Sequence, residues 1–60
     1  MSNEEDLDKA ISDYTEAIRL NPNNAEIYYN RGVGYGEKGD YDRTIADYES
    51  AMRIQREARE

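Results

Sequence analysis

Three amphipathic stretches run along the chain, separated by two breaks. In the first, Leu7, Ala10, Ile11, Tyr14, Ala17 and Ile18 recur at steps of three and four residues, which puts them on one stripe of a helix. Ser2-x-x-Glu5 reads as a capping box ahead of that stripe, with acids filling the first turn. Asn21-Pro22-Asn23-Asn24 ends it, because Pro22 cannot continue a helix and pushes the residue before it out of the α region. The second stretch opens near Asn23 or Asn24, where Asn23-x-x-Glu26 has the character of a capping box with Asn in the first place, and it carries Tyr28, Gly32 and Tyr35 on its apolar face. Gly39 suits a left-handed helix end, and Asp40 a fresh N-cap. The third stripe is Tyr41, Ile45, Tyr48, Ala51 and Met52. The pattern predicts helices at about 4–21, 24–38 and 41–57, and no segment alternates in the manner of a strand. The fold class is therefore all-α, with three antiparallel helices.

The second helix carries a contradiction. Gly32, Gly34 and Gly36 fall inside it, and each exposed interior glycine costs roughly 0.8–1 kcal/mol against alanine. Gly32 has a ready explanation, since a glycine lets a neighbouring helix come close. Gly34 and Gly36 have none in the sequence, and alanine at either is expected to stabilise the helix.

Composition removes whole classes of function. Fourteen acidic and eight basic residues leave a net charge of −6, the wrong sign for neutralising phosphates or for attraction to an anionic membrane. The chain has no Cys and no His, which removes disulfides, the usual Cys/His zinc frameworks and histidine catalysis. No apolar run approaches the roughly 18 residues that span a bilayer. The lack of Cys is compatible with the cytoplasm. Sixty residues leave room for one small domain, and a chain of this size buries only about 60% of its unfolded surface. Support from neighbouring repeats or other chains is expected.

Candidate chemistry is thin. Gly34-x-Gly36-x-x-Gly39 satisfies a dinucleotide string, but it ends a helix and follows no strand. Glu4/Glu5 and Asp40/Asp42 lack the spacing of a calcium loop, and Asp40 and Asp42 read as a cap and a first-turn acid. Ser2, Ser12 and Ser50 have no histidine to activate them. No catalytic, cofactor or metal residue is assigned, and no enzyme activity is expected. Tyr14, Tyr28, Tyr35, Tyr41 and Tyr48 lie on the stripes and are assigned to the core, while Tyr29 lies one step off.

The chain also repeats itself. The shift that carries Leu7 onto Tyr41 lays Leu7–Tyr14 on Tyr41–Tyr48, and Asp8, Ile11, Asp13, Tyr14, Ala17 and Arg19 each meet an identical residue. Tyr28-x2-Arg31-Gly32-x2-Tyr35 is similar to W-x2-L-G-x2-Y, the first-helix pattern of tetratricopeptide (TPR) repeats, and the shift matches the TPR period of about 34 residues. Ala10-x3-Tyr14 with Ala17 and Pro22, and again Thr44-x3-Tyr48 with Ala51, are similar to the second-helix pattern, with Arg56 in place of the last proline. Over residues 7–56 the chain thus resembles the TPR family, as the second helix of a partial repeat (4–21) followed by one full repeat (24–57) within a single domain of 1–60.

The resemblance implies a right-handed solenoid fragment and a protein–protein interaction module. It places Glu26, Tyr29, Asn30, Val33 and Glu37 on a peptide-binding groove. Only Asn30 survives of the Lys/Arg/Asn clamp with which one branch of the family grips a C-terminal carboxylate. The acidic groove therefore suits a basic or neutral peptide. Solenoid units do not bury their faces alone, so self-association is expected through Leu7, Ile11, Ile18, Ile45, Met52 and Ile54. The alternative is a purely structural oligomer, or a swapped dimer, that binds no peptide. The partners are thus protein or peptide and further copies of the chain, with no nucleic acid, membrane or cofactor.

Overall fold

A computed structural model describes residues 4–59 and consists of three helices, α1 (Glu4–Leu20), α2 (Ala25–Glu37) and α3 (Tyr41–Arg59). The Ser2 capping box lies outside the described residues. Glu4, Glu5 and Asp6 fill the first turn of α1 and Arg19 its last, the arrangement that suits the helix dipole. Lys9 pairs with Asp13 at 3.3 Å, and the Arg19 Nε donates to Glu16 at 3.1 Å. Both pairs are exposed and add little.

The cap of α2 falls on Asn24, one of the two positions its sequence pattern allows. Asn24, not Asn23, has the extended backbone of an N-cap, and its side chain accepts from the Glu26 N–H at 3.1 Å. The turn between α2 and α3 follows the expected chemistry. Gly39 has φ +86°, the left-handed conformation that glycine adopts without a Cβ penalty. The Asp40 N–H reaches back to the Tyr35 carbonyl at 2.9 Å and the Gly39 N–H to that of Gly36 at 3.0 Å, which is a Schellman ending. Asp40 then caps α3, accepting from the Arg43 N–H at 3.3 Å.

Helix α2 lies between the other two, and among the described residues no Cα of α1 comes within 8 Å of one in α3. The molecule measures 41 × 22 × 15 Å. Its least dimension is close to one helix diameter, about 10–12 Å, so the three helices form a single layer. A single layer covers no helix all round. Ile11 and Ala51 are accordingly the buried apolar side chains among the described residues.

The glycines of α2 explain how the layer closes. A Cβ on Gly32 would come within 2.8 Å of the Tyr48 ring, so α3 crosses on glycine there. The other two also have a reason, which corrects the reading from propensity. A Cβ on Gly34 would sit 3.1 Å from Ile11 of α1, and one on Gly36 3.3 Å from the Thr44 hydroxyl of α3. Glycine thus lines both sides of α2, and α2 stays helical throughout because two neighbours hold it.

The third stripe also needs correction. Thr44, Asp47, Tyr48 and Ala51 share the side of α3 turned toward α2. Tyr41, Ile45 and Met52 lie to one side of it and remain 66, 54 and 52% exposed. The apolar stripe read from sequence merges two faces, one toward α2 and one toward solvent. Tyr14, Tyr28, Tyr35 and Tyr48 are half-buried, and Tyr41 is not core.

Candidate protein-binding surfaces

Helix positions on α2 sort into three sides. Arg31, Gly34 and Lys38 face α1, where Ile11 contacts Gly34 and the Lys38 ammonium pairs with Asp8. Gly32 and Gly36 face α3. Glu26, Asn30, Val33 and Glu37 follow one another at steps of three and four, with Tyr29 beside Asn30, and form the third, open side. Glu26, Asn30, Val33 and Glu37 line it. Val33 is exposed there, at 47%. Tyr29 is not free, as its off-stripe position suggests, but half-buried. Its ring packs on that of Tyr48, centroids 5.5 Å apart, and its hydroxyl donates to Gln55 Oε1 at 3.3 Å. The face offers one fixed aromatic ring, one exposed valine and two carboxylates.

Arg31 fixes that face from behind. Its Nε donates to Asp47 Oδ2 at 2.9 Å and its Nη2 to Asp47 Oδ1 at 2.7 Å, a bidentate pair with side chains 19% and 6% exposed. Its Nη1 donates to Thr15 Oγ1 of α1 at 3.3 Å, so one guanidinium bonds to both flanking helices. The rings of Tyr28 and Tyr35 lie 5.7 and 5.6 Å from its carbon. Hydrogen bonding to Asp47 pushes the Arg31 pKa above the ordinary arginine value, against a smaller loss from burial. Asp8 likewise holds Lys38 above the usual lysine value.

Sequence pattern does not disclose the Arg31–Asp47 pair, because Arg31 stands where an apolar residue is expected. One signal is present: the internal repeat lays Asp13 on Asp47. Asp13 is exposed and meets Lys9 instead, because no α2-like helix precedes α1 among the described residues.

The six residues assigned to self-association separate. Ile11 is buried inside the chain against Gly34. Leu7 and Ile18 are half-buried on α1. Ile45 and Met52 are open on α3, whereas half-buried Ile54 lines a shallow cleft with Asn23, Glu57 and Ala58. No helix among the described residues is long and apolar enough to cross a membrane.

A family profile described as TPR repeat matches residues 4–39, and a second, described as tetratricopeptide repeat, matches residues 25–57. Among curated proteins, the chain is 43% identical over 49 residues to the small glutamine-rich tetratricopeptide repeat-containing protein 2 of Saccharomyces cerevisiae, covering 82% of this chain and 14% of that protein. It is 44% identical over 46 residues to the small glutamine-rich tetratricopeptide repeat-containing protein beta of Homo sapiens, covering 77% and 15%. The chain thus spans about one seventh of the length of these relatives. No solved structure matches it significantly.

Proposed function

Because this chain belongs to the tetratricopeptide repeat family, we propose that it is a non-enzymatic protein-binding module whose open α2 face takes an extended basic or neutral peptide. In this reading α1 is the second helix of a partial repeat and residues 24–57 form a full one, in a cytoplasmic setting consistent with the absence of cysteine. The observation that carries it is the composition of that face. Glu26 and Glu37 stand about 16 Å apart along the helix, with Tyr29, Asn30 and Val33 between them. Two carboxylates flanking an aromatic ring favour cationic groups on a partner.

The test is titration of the labelled chain with paired Lys-rich and Glu-rich extended peptides, followed by backbone amide shifts. Shifts confined to α2 and a preference for the Lys-rich peptide are expected. Glu26→Lys with Glu37→Lys should reverse the preference and leave the helical circular dichroism unchanged. Equal binding of both peptides, or no shift on α2, would overturn the reading.

A second reading is self-association, favoured by the exposure of Tyr41, Ile45 and Met52 on α3. Light-scattering mass across a dilution series decides it. A monomer from micromolar to near-millimolar concentration would remove it.

A further inference from the structure

The internal repeat breaks down at the end of α3, and that end adjoins the open face of α2. The shift that carries Leu7 onto Tyr41 also carries Pro22 onto Arg56. Helix α1 stops at Leu20, ahead of its proline, whereas α3 meets none and continues through Arg59. Met52, Gln55, Arg56 and Arg59 follow at steps of three and four and share one side of it. Gly36 meets Thr44, Gly32 meets Tyr48 and the Tyr29 hydroxyl reaches Gln55, so α3 runs back along α2. Its last turns therefore lie beside the first turn of α2, which holds Glu26. Charge changes sign across the Tyr29–Gln55 bond. Glu26 stands on one side of it and Arg56 and Arg59 on the other, all exposed and in no ion pair among the described residues. The helix dipole alone favours a cation at this end. On α1 that cation is Arg19, and Glu16 engages it. On α3 it is two arginines that no acid engages; Glu57, between them in sequence, lines the cleft with Asn23 and Ile54 instead.

We infer that Arg56 and Arg59 prolong the α2 face as an anion-binding end, so that the peptide it takes is ampholytic. This site rests on the α2 face as the peptide-binding surface, and fixes the chemistry at one end of the peptide. A basic or neutral stretch runs along Glu37, Val33 and Glu26, and acidic side chains follow it onto Arg56 and Arg59, whose planar forks suit carboxylates. Between the two, Met52 offers an exposed apolar contact. Gln55 gives its oxygen to Tyr29, which leaves its amide N–H groups for a peptide carbonyl. A second copy of the chain is a poorer occupant, because two chains of charge −6 repel.

Two extended, end-capped peptides are the probes: a Lys-rich sequence flanked on both sides by Ser-Ser, and the same sequence flanked by Glu-Glu. Each is titrated into the isotope-labelled full chain. The Glu-flanked peptide should bind about three- to tenfold more tightly, the scale of two exposed charge pairs, and extend the amide shifts from α2 to Gln55, Arg56 and Arg59. Net charge alone predicts the reverse order, since acidic flanks weaken the attraction to an acidic chain. Arg56→Gln with Arg59→Gln should abolish the advantage and leave binding of the Ser-flanked peptide as it was. Arg56→Lys with Arg59→Lys keeps both charges and should retain part of it, which separates loss of charge from fraying of the helix end. Equal or weaker binding of the Glu-flanked peptide, or an advantage that survives in the Gln variant, would overturn the inference. Shifts on α2 that stop short of Gln55 would do the same and leave the α2 face standing. Absence of shifts on α2 with both peptides would sink the α2 face, and this site with it. Peptide-independent dimers whose contacts map to residues 52–59 would give the arginines to a second copy and overturn the ampholytic partner.

Discussion

Arg31 and Asp47 show what one residue pair decides here. Removing one partner leaves the other charge largely out of water, a change that costs about 3–5 kcal/mol in buried pairs. The Asp47→Ala chain is therefore expected to lose much or all of its helical circular dichroism at room temperature, since about 0.05–0.15 kcal/mol per residue leaves a chain of this size only ~3–9 kcal/mol. Arg31→Met with Asp47→Leu should recover most of the loss, because apolar pairs of similar size replace buried ion pairs well. Arg31→Lys should not, since an ammonium cannot make the bidentate contact between two rings. The glycines give a second ordering. Gly32→Ala drives a methyl against the Tyr48 ring and is expected to cost about 1–3 kcal/mol. Gly36→Ala presses on the Thr44 hydroxyl, which bonds to the Gly32 and Asp40 carbonyls, and Gly34→Ala on Ile11; both contacts are looser and each should cost less than Gly32→Ala. Chemical denaturation of the three variants checks the order, and Gly32→Ala proving the mildest would contradict the packing described. Sequence alone does not yield this ordering, because helix propensity prices a glycine by its own backbone. The clashes belong to side chains on α1 and α3.

At the scale of the element, most of the fold is legible in the sequence. Pro22, Gly39 and Asp40 act on their immediate neighbours, so both breaks and all three helices follow from local pattern. Asp40→Ala should cost about 1 kcal/mol by removing the cap of α3, with the loss visible first as amide exchange in residues 41–44. Facing is less legible. Periodicity reports that a stripe is apolar and says nothing of whether one neighbour or two will cover it. Tyr41 and Ile45 therefore read as core, although they lie where only a further helix would bury them. Tyr29 errs in the opposite direction. The ring that holds it, Tyr48, belongs to α3 and is invisible to any window centred on α2. Of the candidate face, Glu26, Asn30, Val33 and Glu37 are placed by helix geometry and a motif. Its rigid backing of Tyr48, Arg31 and Asp47 requires the assembled layer.

For the whole molecule, thickness governs stability. One layer of helices leaves each with uncovered sides, and the buried apolar set is correspondingly small. Covering either end should raise the melting midpoint in proportion to the logarithm of ligand concentration, whatever the ligand's effect on structure. Differential scanning calorimetry with increasing Lys-rich peptide measures this, and an unchanged midpoint would show that the peptide gains nothing by binding the folded form.

The order of the helices has a further consequence, best put as valence. Ala10, Tyr14 and Ala17 of α1 correspond, one repeat earlier, to Thr44, Tyr48 and Ala51, the side by which α3 holds α2. Helix α2 is thus divalent, and its two sites differ: Asp8, Ile11 and Thr15 of α1 fill one, Thr44, Tyr48 and Ala51 of α3 the other.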